Sequence, residues 1–250
     1  MLRAAAFIGA VVVLGAAIVG LLRLFDSADQ RPKPEERFRG LIAGAQERTF
    51  TAALGAPEFS KRVGGYFART YAARRYFVST VVDESGTVLL YAITARSHRY
   101  PIKIGGVVLG RTKFSATPPP TRTGAWFGVH NFYWAEEHYL ANPGNYQTEF
   151  YAFNDSATDA YKDFPAAYGS LITTSLGERY GWMTPDSPLL VGFASEVRAL
   201  RDELIVNTYA VSAPLFYETP AYDLLKPARG EDEIPIGPDS NDVRVAVGRS

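Results

Sequence analysis

The chain has 250 residues, 47% hydrophobic and 13% aromatic, enough for one ordinary domain with a substantial core and an additional segment. Its 26 basic and 26 acidic residues cancel, and no run of Lys and Arg supplies the electrostatic footprint that nucleic acid requires. The absence of cysteine excludes disulfides, thiolate nucleophiles, Cys-ligated zinc and acylated cysteines, and leaves the redox compartment open.

Residues Ala4 to Leu22 are uncharged and mostly apolar, and Arg3 and Arg23 bracket them. A membrane-spanning helix takes about 20 such residues. The apolar core of a cleaved signal peptide is shorter, about 7–15 residues, and ends at a small-residue cleavage site. The LRLFDSADQ that follows offers no such site, so a retained anchor is expected. The chain then divides into an anchor at 1–24, a polar linker at 25–34, one domain at 35–225 and a mostly irregular tail at 226–250. Basic residues on both sides of the apolar run leave the positive-inside rule undecided. The very short N-terminal tail favours a domain outside the cytoplasm.

A helix is expected from Glu35 to Leu54. Phe38, Leu41, Ile42 and Ala45 recur at helical spacing, and Gly55 and Pro57 supply a stop. Gly40 and Gly44 weaken it by about 1 kcal/mol each relative to Ala. The clearest hairpin joins Tyr76–Val82 to Thr87–Ala95 through Asp83-Glu84-Ser85-Gly86. An extended segment at Pro101–Ile104 is broken by Gly105-Gly106, and Thr117–Thr121 is a Pro-rich loop. Asn142-Pro143-Gly144-Asn145 is a strong turn before a strand at Tyr146–Phe153. Short helices are expected between Asp155 and Leu176. A further helix begins with Ser187 as cap and Pro188 in the first turn, and carries a stripe of Leu190, Phe193, Val197, Leu200 and Leu204. Val206–Val211 is a candidate last strand, and Val243–Val247 an extended patch in the tail. The fold class that follows is α+β: a mainly antiparallel sheet packed with helices 35–54 and 187–205, plus one N-terminal transmembrane helix.

Chemistry-bearing residues concentrate between His130 and Phe153. On a helix, His130 and Glu137 share a face and His138 turns away. On a strand, His130 lies more than about 15 Å from Glu136 and His138. Neither geometry gathers a metal site locally, and Glu-x-x-His and HExxH are both absent, so no metal is expected. Glu136 and Glu137 diverge by about 100° on a helix and point oppositely on a strand. They are therefore no glycosidase pair by themselves. One of them, with His138 nearby, would need a remote acid such as Glu149, Asp155 or Asp159. No G-x-S-x-G, phosphate-loop or dinucleotide motif is present, and no cofactor is implied. The aromatics divide between core and rim, and Trp126, Tyr133, Trp134, Tyr139, Tyr146 and Tyr151 are the candidate binding residues.

LGAP after an amphipathic helix, YFVSTVV–DESG–TVLLYAITARS, LGRTKFS and HNFYW…EEHYLANPGNYQTEFYAFND together resemble an uncharacterised family of N-terminally anchored bacterial proteins. The resemblance covers roughly residues 35–155, with IGPDSNDVR of the tail, and NPGNYQT is its most specific piece. It implies a bacterial, membrane-tethered domain and gives no residue a role. The expected function is a non-enzymatic envelope module that binds a protein or glycan partner. The alternative is a membrane-anchored hydrolase of a glycan or related polymer using Glu136, Glu137 and His138.

Overall fold

The β-branched hairpin sits inside a larger sheet. In the computed structural model, residues 36, 38–99, 101–127, 132–142, 145–154, 179–226, 233–239 and 243 are described. Helix α1 (Glu47–Leu54) precedes a four-strand meander: β1 (Phe59–Val63), β2 (Tyr66–Ala72), β3 (Tyr76–Val82) and β4 (Val88–Ala95). A small hairpin follows, β5 (Ile102–Ile104) and β6 (Val107–Leu109). Next come β7 (Arg122–Phe127), β8 (Phe132–Asn142), β9 (Asn145–Asn154) and β10 (Arg179–Met183). Two short helices, α2 (Pro188–Gly192) and α3 (Ala194–Glu203), lead to β11 (Thr208–Ser212). Helix α4 (Pro220–Leu224) and the parallel pair β12 (Leu225–Lys226) and β13 (Ile234–Pro235) complete the described chain.

Nine strands form one sheet in the order β1-β2-β3-β4-β11-β9-β8-β7-β10, antiparallel at every pairing. The fold is thus α+β, with the sheet dominant. Both faces of its middle are covered, so β3 is buried at every residue instead of alternating. One face, which includes Val81, Leu90, Ala92, Phe150 and Ala210, is packed by Phe216, Ala221, Leu225, Ile234 and Ile236 from the C-terminal part. On the other face, Phe50 of α1 meets Tyr91 edge-on at 5.5 Å. The β3–β4 turn is tied by Asp83, whose Oδ1 accepts the Ser85 and Thr87 N–H groups at 2.9 and 2.8 Å.

Three expected elements differ. The helix expected over 35–54 is interrupted: Glu36 and Phe38 are helical, and helix is found again from Glu47. Gly40 to Gln46 form turns and a bridge to Thr87. Gly44 has φ +92° and donates its N–H to the Val88 carbonyl at 2.7 Å, which diverts the backbone from helix to sheet edge. Its anticipated face is split accordingly: Leu41 is buried and Ile42 is 60% exposed. The helix expected at 187–205 breaks at Phe193 (φ −119°, ψ 36°), leaving Leu200 and Leu204 buried and the earlier stripe residues half-exposed. The expected tail is in part structural, since Ile234 and Ile236 are core residues.

No described helix is long and apolar enough to cross a membrane. The anchor at 4–22, the linker, the helices expected at 155–176 and residues 244–247 lie outside the described residues.

Candidate functional site

Strand β8 places its chemistry by simple alternation. Trp134, Glu136 and His138 share one face; Tyr133, Glu137 and Tyr139 share the other. The adjacent acids therefore point through the sheet in opposite directions, each into a separate polar cluster.

On the first face Glu136 is 0% exposed. Arg201 of α3 grips it with Nε at 2.7 Å from Oε1 and Nη2 at 3.1 Å from Oε2. The Trp134 indole N–H donates to Oε1 at 3.1 Å, and the Thr117 hydroxyl lies 3.4 Å from Oε2. Arg201 Nη2 also donates to the Phe114 carbonyl at 2.8 Å. Burial pushes the Glu136 carboxyl above its ordinary range, and Arg201 pulls against that. His138 Nε2 stands 3.8 Å from Glu136 Oε2, beyond hydrogen-bond reach, and has no hydrogen-bond partner. Its ring packs edge-on against Tyr151 at 4.7 Å. Burial, followed by the nearby Arg201 charge, lowers the imidazole to about 4, so it is neutral at pH 7.

The same face continues across β9 and β11. The Tyr209 hydroxyl donates to Glu149 Oε1 at 2.7 Å. The Tyr151 hydroxyl lies 3.1 Å from both Glu149 Oε2 and the Gly105 carbonyl, so its single proton is shared between them. Burial and the Glu149 charge raise both phenols.

On the second face Arg122 Nε pairs with Glu137 Oε2 at 2.6 Å, and the Tyr222 hydroxyl donates to Oε1 at 2.7 Å. The guanidinium lies against the Tyr222 and Trp182 rings, 4.9 and 5.6 Å from their centroids. Burial raises the Glu137 carboxyl, against the pull of Arg122.

Glu136 and Glu137 thus each hold an arginine and at least one neutral donor, and Glu136, Glu137 and His138 are not brought to one surface. Of the aromatic candidates, Tyr133, Trp134 and Tyr151 are buried, Trp126 is half-buried against the core, and Tyr139 is 38% exposed. The side chain of Tyr146 lies outside the described residues, as do His130, Asp155 and Asp159. Among the described residues no group of three or more His, Asp and Glu is placed to hold a metal. A cleft of about 170 Å³ lies between the β1–β3 end of the sheet and residues 233–239, and none of Glu136, Glu137 or His138 lines it. The residues that sequence reasoning passed over are Arg201, Arg122, Tyr209 and Tyr222. No local motif marks them, because each meets its acid across at least 15 residues of chain. No protein-family model, curated protein or solved structure matches the chain.

Proposed function

We propose that the chain is a membrane-tethered bacterial envelope module, held by residues 4–22, which binds a protein or glycan partner without catalysis. One observation carries the non-enzymatic reading: both central acids are buried and already bound by arginine. A glycosidase needs two carboxyls facing a shared substrate. Here they lie on opposite faces of β8, and the described cleft is elsewhere.

The binding surface we favour is the corner built on Tyr139. Its ring packs edge-on against Tyr217 at 6.1 Å, and both rings stay more than a third exposed. Leu215 beside them is 43% exposed and adopts φ 58°, ψ 16°, a left-handed conformation that costs a bulky residue about 1–2 kcal/mol. Strain and exposed apolar surface at one corner fit a recognition site better than a solvated face. The test is photocrosslinking in cells, with a photoreactive residue at position 139 or 217 of the full-length protein. A discrete adduct in the membrane fraction is expected. Background labelling from both positions would remove this corner as the binding surface.

A further inference from the structure

The chain is neutral, but its charge is unevenly spread. Arg62, Arg69, Arg122 and Arg201 are paired with Glu84, Glu47, Glu137 and Glu136. Residues 73–75, 95–99 and 110–113 hold five further arginines, Lys113 and His98, and no acid. These segments are the β2–β3 turn, the end of β4 and the exit from β6.

Their backbones meet. The Arg96 N–H donates to the Arg75 carbonyl at 3.0 Å, and Arg96 Nη1 donates to the Ala73 carbonyl at 3.0 Å. Arg96 thus fastens the β2–β3 turn, with its guanidinium 4.9 Å from the centroid of the Phe77 ring. A Cβ on Gly110 would stand 3.0 Å from the His98 Cα, and φ there is +80°. Glycine at 110 is what lets the exit from β6 come this close to the end of β4.

Arg74, Arg99 and Arg111 are exposed on these segments. Their side chains have no hydrogen bond, ion pair or ring contact among the described residues. Lys113 bridges to Ile205, two residues after Glu203, so acid enters on that side and the basic surface ends at Arg111. Three guanidiniums without a counter-charge, carried on backbone that is held in place, fit an anionic partner.

We propose that this end of β4 binds an acidic polysaccharide, with Arg74, Arg99 and Arg111 donating to carboxylates along the sugar chain. The guanidinium fork matches a carboxylate with two parallel bonds. Position selects a polymer: the three arginines stand on turns, none of them lines the cleft, and one exposed ion pair contributes little by itself. Several such pairs to one molecule add up. The three segments offer no Phe, Tyr or Trp on which a nucleic-acid base would stack. A chain of sugar rings loses less freedom on binding than an acidic peptide does. Residues 44–46 are bonded to Thr87 and Val88 at the other end of β4, roughly 25 Å away. With the proposed tether leaving from that end, the arginines face away from lipid. The choice against lipid headgroups rests on that tether, and nothing else in the proposal does.

Biolayer interferometry of the full-length protein in nonionic micelles tests it, with polygalacturonate as the probe and its methyl ester as the uncharged control. Saturable binding of polygalacturonate and none of the ester are expected. Affinity should fall at least about tenfold between about 50 and about 300 mM salt. Arg74→Glu/Arg99→Glu/Arg111→Glu should weaken binding at least about tenfold at the wild-type unfolding midpoint, since these side chains have no described bond to lose. If that midpoint falls, the single substitutions decide, each expected to weaken binding about threefold. Arg48→Glu, exposed on α1 next to the Glu47–Arg69 pair, should leave binding unchanged. Absence of saturable binding, equal binding of the ester, or an equal loss in Arg48→Glu would overturn the proposal. So would tighter binding of poly-L-glutamate, of a single-stranded oligonucleotide or of glycerol 3-phosphate, the headgroup of an anionic lipid. Micelles replace the membrane here, so an error in the tether leaves this result unmoved and shows instead as protein that fails to sediment with membranes.

Discussion

Arg201 and Glu136 form a two-pronged ion pair, at 2.7 and 3.1 Å, between helix α3 and the middle of strand β8, with the carboxylate fully buried. It fastens the helix to the sheet across 65 residues of chain. Removing one partner from such a pair strands the other, at a cost of about 3–5 kcal/mol. Arg201→Met should therefore lower stability by roughly 3 kcal/mol. The double variant Arg201→Met/Glu136→Met should lose less than the single one, since it leaves no buried charge behind. Urea unfolding of the three proteins measures this, and a double variant weaker than Arg201→Met would contradict it.

His138 makes stability depend on pH. Its folded value is about 4, against 6.5 for the ordinary imidazole. The unfolded chain therefore binds the extra proton first, and stability present above pH 6.5 is lost as pH falls toward 4. The full loss is about 3 kcal/mol. The charged groups facing His138 are Glu136 and Arg201, with Glu149 beyond Tyr151. Burial raises Glu136, which acts in the opposite sense, so the comparison must be internal. His138→Phe should gain stability relative to wild type between pH 6.5 and pH 4, and denaturation midpoints at pH 7.5 and pH 4.5 would reveal it.

Gly105 is fixed by Tyr209. A Cβ built there would lie 2.1 Å from the tyrosine ring, and φ is +54°. Gly105→Ala should displace the β5–β6 hairpin and cost roughly 2–3 kcal/mol. Thermal unfolding checks the cost. Loss of the Tyr151 contact to the Gly105 carbonyl should accompany it, visible as a change in tyrosine fluorescence.

Residues 233–239, which border the cleft, are held by Tyr133. Tyr133→Phe removes its bond to the Ile236 carbonyl and should cost about 1 kcal/mol. Hydrogen exchange should quicken in residues 234–238 and stay unchanged in β3 and β4. Uniform quickening would mean global destabilisation instead of local release.

Membrane topology is also open to test. We propose that the domain lies outside the cytoplasm, so a C-terminal alkaline phosphatase fusion should be active. An inactive phosphatase with an active cytoplasmic reporter would reverse the orientation.

Much of the sheet was legible because its signals are local. The β3–β4 hairpin and the strand after NPGN carry dense β-branched and aromatic runs, and both formed as expected. Strands β1 and β2 went unread because Lys61, Arg62 and Arg69 interrupt their alternation, as charged residues do near a sheet edge. The helical spacing over 35–54 does not give one helix, because Gly44 takes φ +92° and makes a turn there. The opposed directions of Glu136 and Glu137 were legible once β8 was a strand. Their partners were not, because contacts such as Glu136–Arg201 and Glu137–Tyr222 depend on how distant segments pack.

Strand β11 is the stitch of the sheet, lying between β4 and β9. Until Thr208–Ser212 has left the ribosome, the meander β1–β4 and the group β7–β10 are two half-sheets, each presenting an unpaired strand edge. Closing them requires pairing Thr208 with Thr94, 114 residues earlier, a non-local step that is intrinsically slow. Before β11 is in place, the open edges of β4 and β9 are sites for wrong pairing between chains.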